Sequence, residues 1–161
     1  MAVSFLFQYL FCQLSQSKSG KVEQGDRMEV GEGKNDSLLE ILRGHEYVYG
    51  GEKMSIDSTF SIMDTMAFPF DENLIVVNGN RDELGPTFSF IIDTETKKSI
   101  LLPSNLGCIG FTSEEGLPIC LSFRHHANGE PGRYSVVSVY DEKGNLVKEM
   151  SFEDYKKDEK Q

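Results

Sequence analysis

The chain is short of the residues that mark most ligand chemistries. It carries 16 lysines and arginines against 26 aspartates and glutamates, for a formal net charge of -10. With no basic stripe to neutralise phosphates, a nucleic-acid partner is not expected. Acidity of this kind fits a protein held in solution by self-repulsion, or one that docks on a basic surface. Cysteines number 3, and none lies in a clustered Cys-His spacing. There is no glycine-rich phosphate loop and no nucleophile elbow. Asp141-Glu142-Lys143-Gly144-Asn145 lacks the alternating oxygen ligands of a calcium loop. No apolar run reaches the roughly 20 residues with which a helix crosses a bilayer. These absences leave no catalytic set, metal or cofactor to nominate, so the chain is read as a non-enzyme without a membrane span.

Turning to what is present, Met1 to Leu14 is apolar and uncharged, and the first charge is Lys18. Residues 1–17 therefore resemble the apolar core of a secretory signal, although no Lys or Arg precedes the run. Export to the periplasm or cell envelope is one expectation, and a cytoplasmic location the other. Residues 18–36 are nearly devoid of apolar side chains and cannot repay the entropy of ordering, so they read as a flexible linker. Asn35-Asp36-Ser37 then precedes Leu38-Leu39-Glu40-Ile41-Leu42-Arg43, closed by Gly44. A capping residue, apolar positions at helical spacing and a terminal glycine predict one short helix. Two alternating segments around Gly50-Gly51 predict a hairpin.

From residue 60 the chain is strand grammar, written twice. Phe68-Pro69-Phe70-Asp71-Glu72-Asn73, the apolar run Leu74 to Val77, a polar loop, Phe88 to Asp93 and Ser99 to Leu102 form one unit. Ile109 to Gly116, Leu117 to Leu121, a polar loop, Tyr134 to Asp141 and Leu146 to Met150 repeat it. The offset of about 43 to 48 residues is that of four-stranded propeller blades. Leu74 to Val77 should be an inner strand covered on both faces, while Phe88 to Ile92 and Tyr134 to Tyr140 should be half-buried. Asp93 and Asp141 open tight turns whose backbone donors their carboxylates can cap. The expected fold is all-β and mainly antiparallel, with two propeller-blade-like four-stranded sheets and one short N-terminal helix. The β domain is placed at residues 37–152, its units at about 60–104 and 105–152, and residues 153–161 are read as a charged tail or frayed helix.

The inner strand, long loop, strand ending in Ile91-Ile92-Asp93-Thr94-Glu95-Thr96-Lys97-Lys98 or Val139-Tyr140-Asp141-Glu142-Lys143-Gly144-Asn145, and outer strand resemble blades of the TolB-like six-bladed β-propeller family. The phrase Phe68-Pro69-Phe70-Asp71-Glu72-Asn73-Leu74 is similar to its blade openings. The resemblance covers about residues 60–152 and implies a binding or scaffold module, often exported. A ring needs about four to eight blades and two are visible. The chain is thus a fragment of a longer propeller, a unit of a homo-oligomer, or an open sandwich or barrel.

The candidate interaction residues lie in the two long polar loops, residues 78–86 and 125–133. They are Asn78, Arg81 and Asp82 in the first, with Arg124, His125, His126, Asn128 and Arg133 in and beside the second. His125 and His126 point to opposite faces of an extended chain and do not share a metal ion. If the strands flanking Ser113-Glu114-Glu115-Gly116 pair, Cys108 falls nearly opposite Cys120, close enough for a cross-strand disulfide in an exported protein or for two buried thiols. The favoured function is a non-catalytic binding or scaffold module for an unidentified protein or small-molecule ligand. The alternative is a small acidic inhibitor or immunity-type protein whose two long loops cover a basic active site.

Overall fold

The repeated strand grammar builds two stacked antiparallel meanders. The computed structural model describes residues 22–23, 27–28, 32–49 and 51–161. The signal-like segment at residues 1–17 lies outside the described residues, with Cys12 in it. In chain order the elements are β1 (Val22–Glu23), β2 (Arg27–Met28), α1 (Glu32–Leu42), β3 (Glu46–Tyr49), β4 (Glu52–Ser55), β5 (Ser61–Ala67), β6 (Leu74–Asn80), β7 (Phe88–Asp93), β8 (Lys98–Leu102), β9 (Gly107–Thr112), β10 (Pro118–His125), β11 (Arg133–Tyr140), β12 (Leu146–Ser151) and α2 (Phe152–Glu159). Strands β5 to β8 pair in sequence as the first sheet, and β9 to β12 as the second. The fold is thus mainly antiparallel β, with two blade-like four-stranded sheets, as the repeat leads one to expect.

Short two-residue strands extend the inner edge of each sheet: β1 pairs with β9, and β2 with β5. Both fall in the stretch read as a linker. Edge pairing draws only on backbone N–H and C=O groups, so a stretch with almost no apolar residues can still add to an open edge. Helix α1 opens at Glu32, earlier than the Leu38 start expected from Asn35-Asp36-Ser37. Ser37 sits inside it, its hydroxyl donating to the Gly33 carbonyl at 3.4 Å rather than capping an N-terminus.

Each sheet is covered on both faces. Leu42, Tyr47, Ile56 and Phe60, from α1 and the β3–β4 hairpin region, pack with Val77, Phe88, Phe90 and Ile92 on the outer face of the first sheet. Between the sheets, Met66, Phe68, Val76, Ile91 and Leu102 meet Cys108, Phe111, Cys120 and Tyr140. Phe68 and Phe111 lie 4.9 Å apart there, a pairing typical of aromatic cores. Strand β7, expected to be half-buried, is buried from Phe88 to Ile92 because it has a layer on either side. The second sheet turns Ile109, Ile119, Leu121, Val137 and Val139 outward onto Tyr155 of α2. The charged ending is therefore a docked helix, with Tyr155 only 7% exposed. Ser151 caps it by accepting from the Asp154 N–H at 3.1 Å, and Phe152 and Tyr155 stand on one face at i and i+3.

One polar contact joins the sheets inside this apolar layer. Asn78 on β6 is 3% exposed and uses all four of its hydrogen-bonding positions. Its Nδ2 donates to Asp64 Oδ1 and to the Cys108 carbonyl, both at 2.8 Å. Its Oδ1 accepts from Ser89 Oγ at 2.6 Å and from the Cys108 N–H at 3.0 Å. Two glycines make room for the packing around it. Gly107 has φ +93°, and a Cβ there would come within 3.0 Å of Thr87 and 3.4 Å of Asn78. A Cβ at Gly79 would lie 2.4 Å from the Phe60 ring.

Asn78→Ala is expected to cost about 3 kcal/mol or more, because it strands buried partners on both sheets as well as removing bonds. Asn78→Asp should also destabilise, since a carboxylate would face Asp64 and the Cys108 carbonyl. Urea unfolding at neutral pH measures both; a cost below about 1 kcal/mol for the alanine variant would show that the sheets do not depend on this contact.

Candidate functional site

The meander topology sorts the connections between two ends of the stack. The β5–β6, β7–β8, β9–β10 and β11–β12 turns share one end. The long loops, residues 81–87 and 126–132, and the β8–β9 link of residues 103–106 share the other.

At the turn end, local chemistry accounts for the acidic pairs. Asp93 Oδ1 accepts from the Glu95 and Thr96 N–H groups at 2.9 and 3.0 Å. Asp141 Oδ1 accepts from Lys143 and Asn145 at 2.9 and 2.8 Å. Those backbone donors, with Thr96 and Asn145 the strongest, hold both carboxyls below their usual range. Asp71-Glu72 and Glu114-Glu115 occupy the other two turns, and all four residues are exposed.

At the loop end, the structure redistributes the expected interaction residues. Asn78 belongs to β6, not to a loop, and is fully engaged in the inter-sheet contact; a single polar residue after an apolar run reads like a loop start, and burial on both faces of β6 overrides that reading. Arg81 is half-buried and donates to Met54 Sδ at 3.0 Å, tying its loop to the hairpin. Asp82, His125, His126, Asn128 and Arg133 are exposed. His125 and Arg133 are cross-strand partners, and the His126 ring lies 5.0 Å from Tyr134. Arg124 lies within β10 and grips Glu149 on β12 through both terminal guanidinium nitrogens, at 2.5 Å each. Ser138 Oγ donates to the same carboxylate at 3.0 Å. The Arg124 hydrogen bonds, helped by Ser138, hold the Glu149 carboxyl below its usual range against the opposing effect of burial.

The β8–β9 link is pinned to the second sheet by side chains that sequence reading did not single out. Ser104 Oγ donates to the Leu121 carbonyl at 2.6 Å. Asn105 donates to the Phe123 carbonyl at 3.0 Å and accepts from its N–H at 2.8 Å, acting as one more strand position. The Tyr140 hydroxyl donates to the Pro103 carbonyl at 3.2 Å. Beside this link opens a cleft of about 320 Å³, walled by Tyr47, Phe88, Leu101 and Leu102 on one side and by Ser122, Phe123 and Arg124 on the other. Strand alternation puts Ser122 on the face of Cys120 and Arg124, toward the first sheet. Ser122 is 4% exposed, and its hydroxyl has no hydrogen-bond partner among the described residues. Leaving such a group unsatisfied costs about 1–3 kcal/mol. A signal for it was present: Ser122 is the polar residue at an inward position between Cys120 and Arg124.

Cys108 and Cys120 are cross-strand partners, as their spacing predicts, and both are buried free thiols. Burial, reinforced by Cys108, pushes the Cys120 thiol well above its usual value and away from thiolate chemistry. Elsewhere, His45 Nε2 and Ser99 Oγ share a hydrogen bond where the α1–β3 junction meets β8. The His45 ring stands edge-on to Phe90 at 5.5 Å, which makes it a half-buried anchor for that junction. Among the described residues no group of three or more His, Cys, Asp or Glu is placed to hold a metal ion, and no helix is long and apolar enough to cross a membrane. Comparison of the chain with protein-family models, curated proteins and solved structures finds no match.

The depressed Glu149 value has a definite sign. The ion pair stabilises above the unfolded glutamate pKa of about 4.3 and loses its contribution as pH falls through the lower folded value. The melting-temperature gap between the parent and Glu149→Gln should therefore be open at pH 7 and close on acidification below about pH 4. A gap independent of pH would assign the contact to packing rather than charge. For the thiols, iodoacetamide should leave Cys108 and Cys120 unmodified in the folded protein. It should add to both once the protein is unfolded without reductant, and failure to add in the unfolded state would reveal a disulfide.

Proposed function

We propose that the chain is a non-catalytic binding module, a two-blade propeller-like scaffold that presents its ligand site at the loop end. The observation that carries this reading is the cleft beside the β8–β9 link, walled by apolar side chains of both sheets and the hairpin with a few polar groups among them. Binding sites are concave, mostly apolar and furnished with a few placed polar groups, and this cleft has that make-up at the lower end of the usual size range of about 300–1,000 Å³. Its described lining holds no carboxylate, imidazole or thiol to move a proton or attack a substrate, which favours binding over catalysis. The resemblance to TolB-like propellers supports the same class of function by analogy alone.

The acidic-inhibitor reading draws less support from the loops assigned to it. Loop residues Arg81, Asp82 and Glu83 on one side, with Glu130 and the flanking Arg133 on the other, are close to charge balance. The excess carboxylates gather at the opposite, tight-turn end.

A fragment screen on the isotopically labelled protein, read by amide chemical shifts, tests the proposal. A mixed library of neutral, anionic and cationic fragments should yield hits with dissociation constants of ~1 mM or tighter, their shifts clustered on residues 101–105 and 122–124. Hits scattered over other faces, or none at all, would remove the cleft as a binding site.

A further inference from the structure

We infer that the cleft takes a small uncharged aromatic molecule, one or two fused rings in size, whose ring stacks on the Arg124 guanidinium. This rests on the binding-module reading and names its ligand class. Three features of the lining converge on it.

The first is the guanidinium itself. Both terminal nitrogens of Arg124 are fixed by the two oxygens of Glu149, which holds the group in one orientation. Bonds of this kind engage the rim of a guanidinium and leave its faces, which attract the electron-rich face of an aromatic ring. The Arg124 side chain is 41% exposed, so it remains reachable from solvent. Its cross-strand neighbour Tyr134 pairs its ring with His126 instead, at 5.0 Å. The second feature is the opposite wall. Tyr47 and Phe88 form a tilted pair with centroids 4.4 Å apart, and a further ring can join such a pair by edge or offset contact. The third is polar accounting. Ser104 and Asn105 are bonded to the backbone of β10, and the Ser122 hydroxyl is sealed from the cleft. That leaves the guanidinium, whose charge Glu149 already balances, and the Tyr47 hydroxyl, which bonds to none of the described residues. An ion would lose its hydration here without a free counter-charge, so a neutral ligand is favoured. The Tyr47 hydroxyl can serve one polar substituent on its rim. A volume of about 320 Å³ has room for one or two fused rings rather than a longer chain.

The probes are benzyl alcohol and cyclohexylmethanol, which share a hydroxyl and a ring size and differ in aromaticity, with indole as a larger electron-rich ring. Titrated into the full chain and followed by amide shifts at Leu101, Asn105 and Phe123, benzyl alcohol should bind about fivefold more tightly than cyclohexylmethanol. Plain hydrophobic burial would rank the two the other way, because the saturated ring is the more apolar. Indole should bind more tightly than benzyl alcohol. The aromatic probes should also move the Arg124 Nε–H resonance upfield by ring current, and cyclohexylmethanol should not. In Arg124→Gln most of the aromatic preference should disappear while cyclohexylmethanol binds as before. Equal binding of the two alcohols to the parent, or an unmoved Arg124 resonance, overturns the inference and needs no variant to be read. N-acetyltryptophan amide binding far more tightly than indole would overturn the free small molecule in favour of a side chain on a partner protein. Silence from all these probes also overturns the ligand class, and silence from the wider fragment library would remove the binding-module reading as well.

Discussion

A buried amide holds the two halves of this molecule in register. Two sheets that met through apolar side chains alone could slide past one another at small cost, since hydrophobic contact has no direction. Asn78 removes that freedom. Its four bonds reach Asp64 on the neighbouring strand, Ser89 on the other side, and both backbone groups of Cys108 on the second sheet. In a low-dielectric interior each of these is expensive to leave unmade, so the registry that satisfies all of them is strongly preferred. The glycine at 107 and the short link before it follow from the same demand, because the start of β9 must approach β6 closely enough for main chain to meet side chain.

With that registry set, the layers follow. Each blade-like sheet has two apolar faces, as Val76 and Val77 on successive positions of β6 show by facing different clusters. One face of each goes to the partner sheet. The outer faces are taken by α1 with the β3–β4 hairpin, and by α2. In a propeller ring those outer faces stack on further blades. A ring of three such chains would have to displace both helices and expose Leu42 and Tyr155, which are 0% and 7% exposed here. Capping by helices is the other physical solution to the same exposed face, and this chain uses it.

Much of this was written in local sequence. The strands, the Gly50-Gly51 hairpin and the Asp93 and Asp141 turns depend on side chains within a few residues, so pattern alone locates them. Three things were not legible, each for a definite reason. β1 and β2 are two-residue pairings within a polar stretch, too short to leave a compositional pattern. Helix α2 is dense in charge, and its docking hangs on Phe152 and Tyr155, whose partners on β9 to β11 come from the tertiary fold. Asn78 and Ser122 are single polar residues in apolar strands. What separates the two is the surroundings of each: Asn78 meets four hydrogen-bonding groups, and the buried Ser122 hydroxyl meets none among the described residues.

That contrast bears on how the fold divides its tasks. At the turn end the Asp93 and Asp141 turns close on themselves through contacts spanning two to four residues, which are cheap in entropy, and Thr94 ties one turn to its neighbour by bonding the Asn73 carbonyl. The loop end is assembled from residues far apart in sequence, with Tyr47, Leu101 and Ser122 brought together only once α1, the hairpin and both sheets are in place. A site built this way inherits the rigidity of every layer it touches, because Arg124 is clamped by Glu149 and the β8–β9 link is fixed to β10. Such preorganisation lowers the entropy lost when a ligand is held. The unsatisfied Ser122 hydroxyl is therefore best understood as a cost that the rest of the fold is stable enough to carry, beside a cleft whose shape is decided by residues distant in sequence.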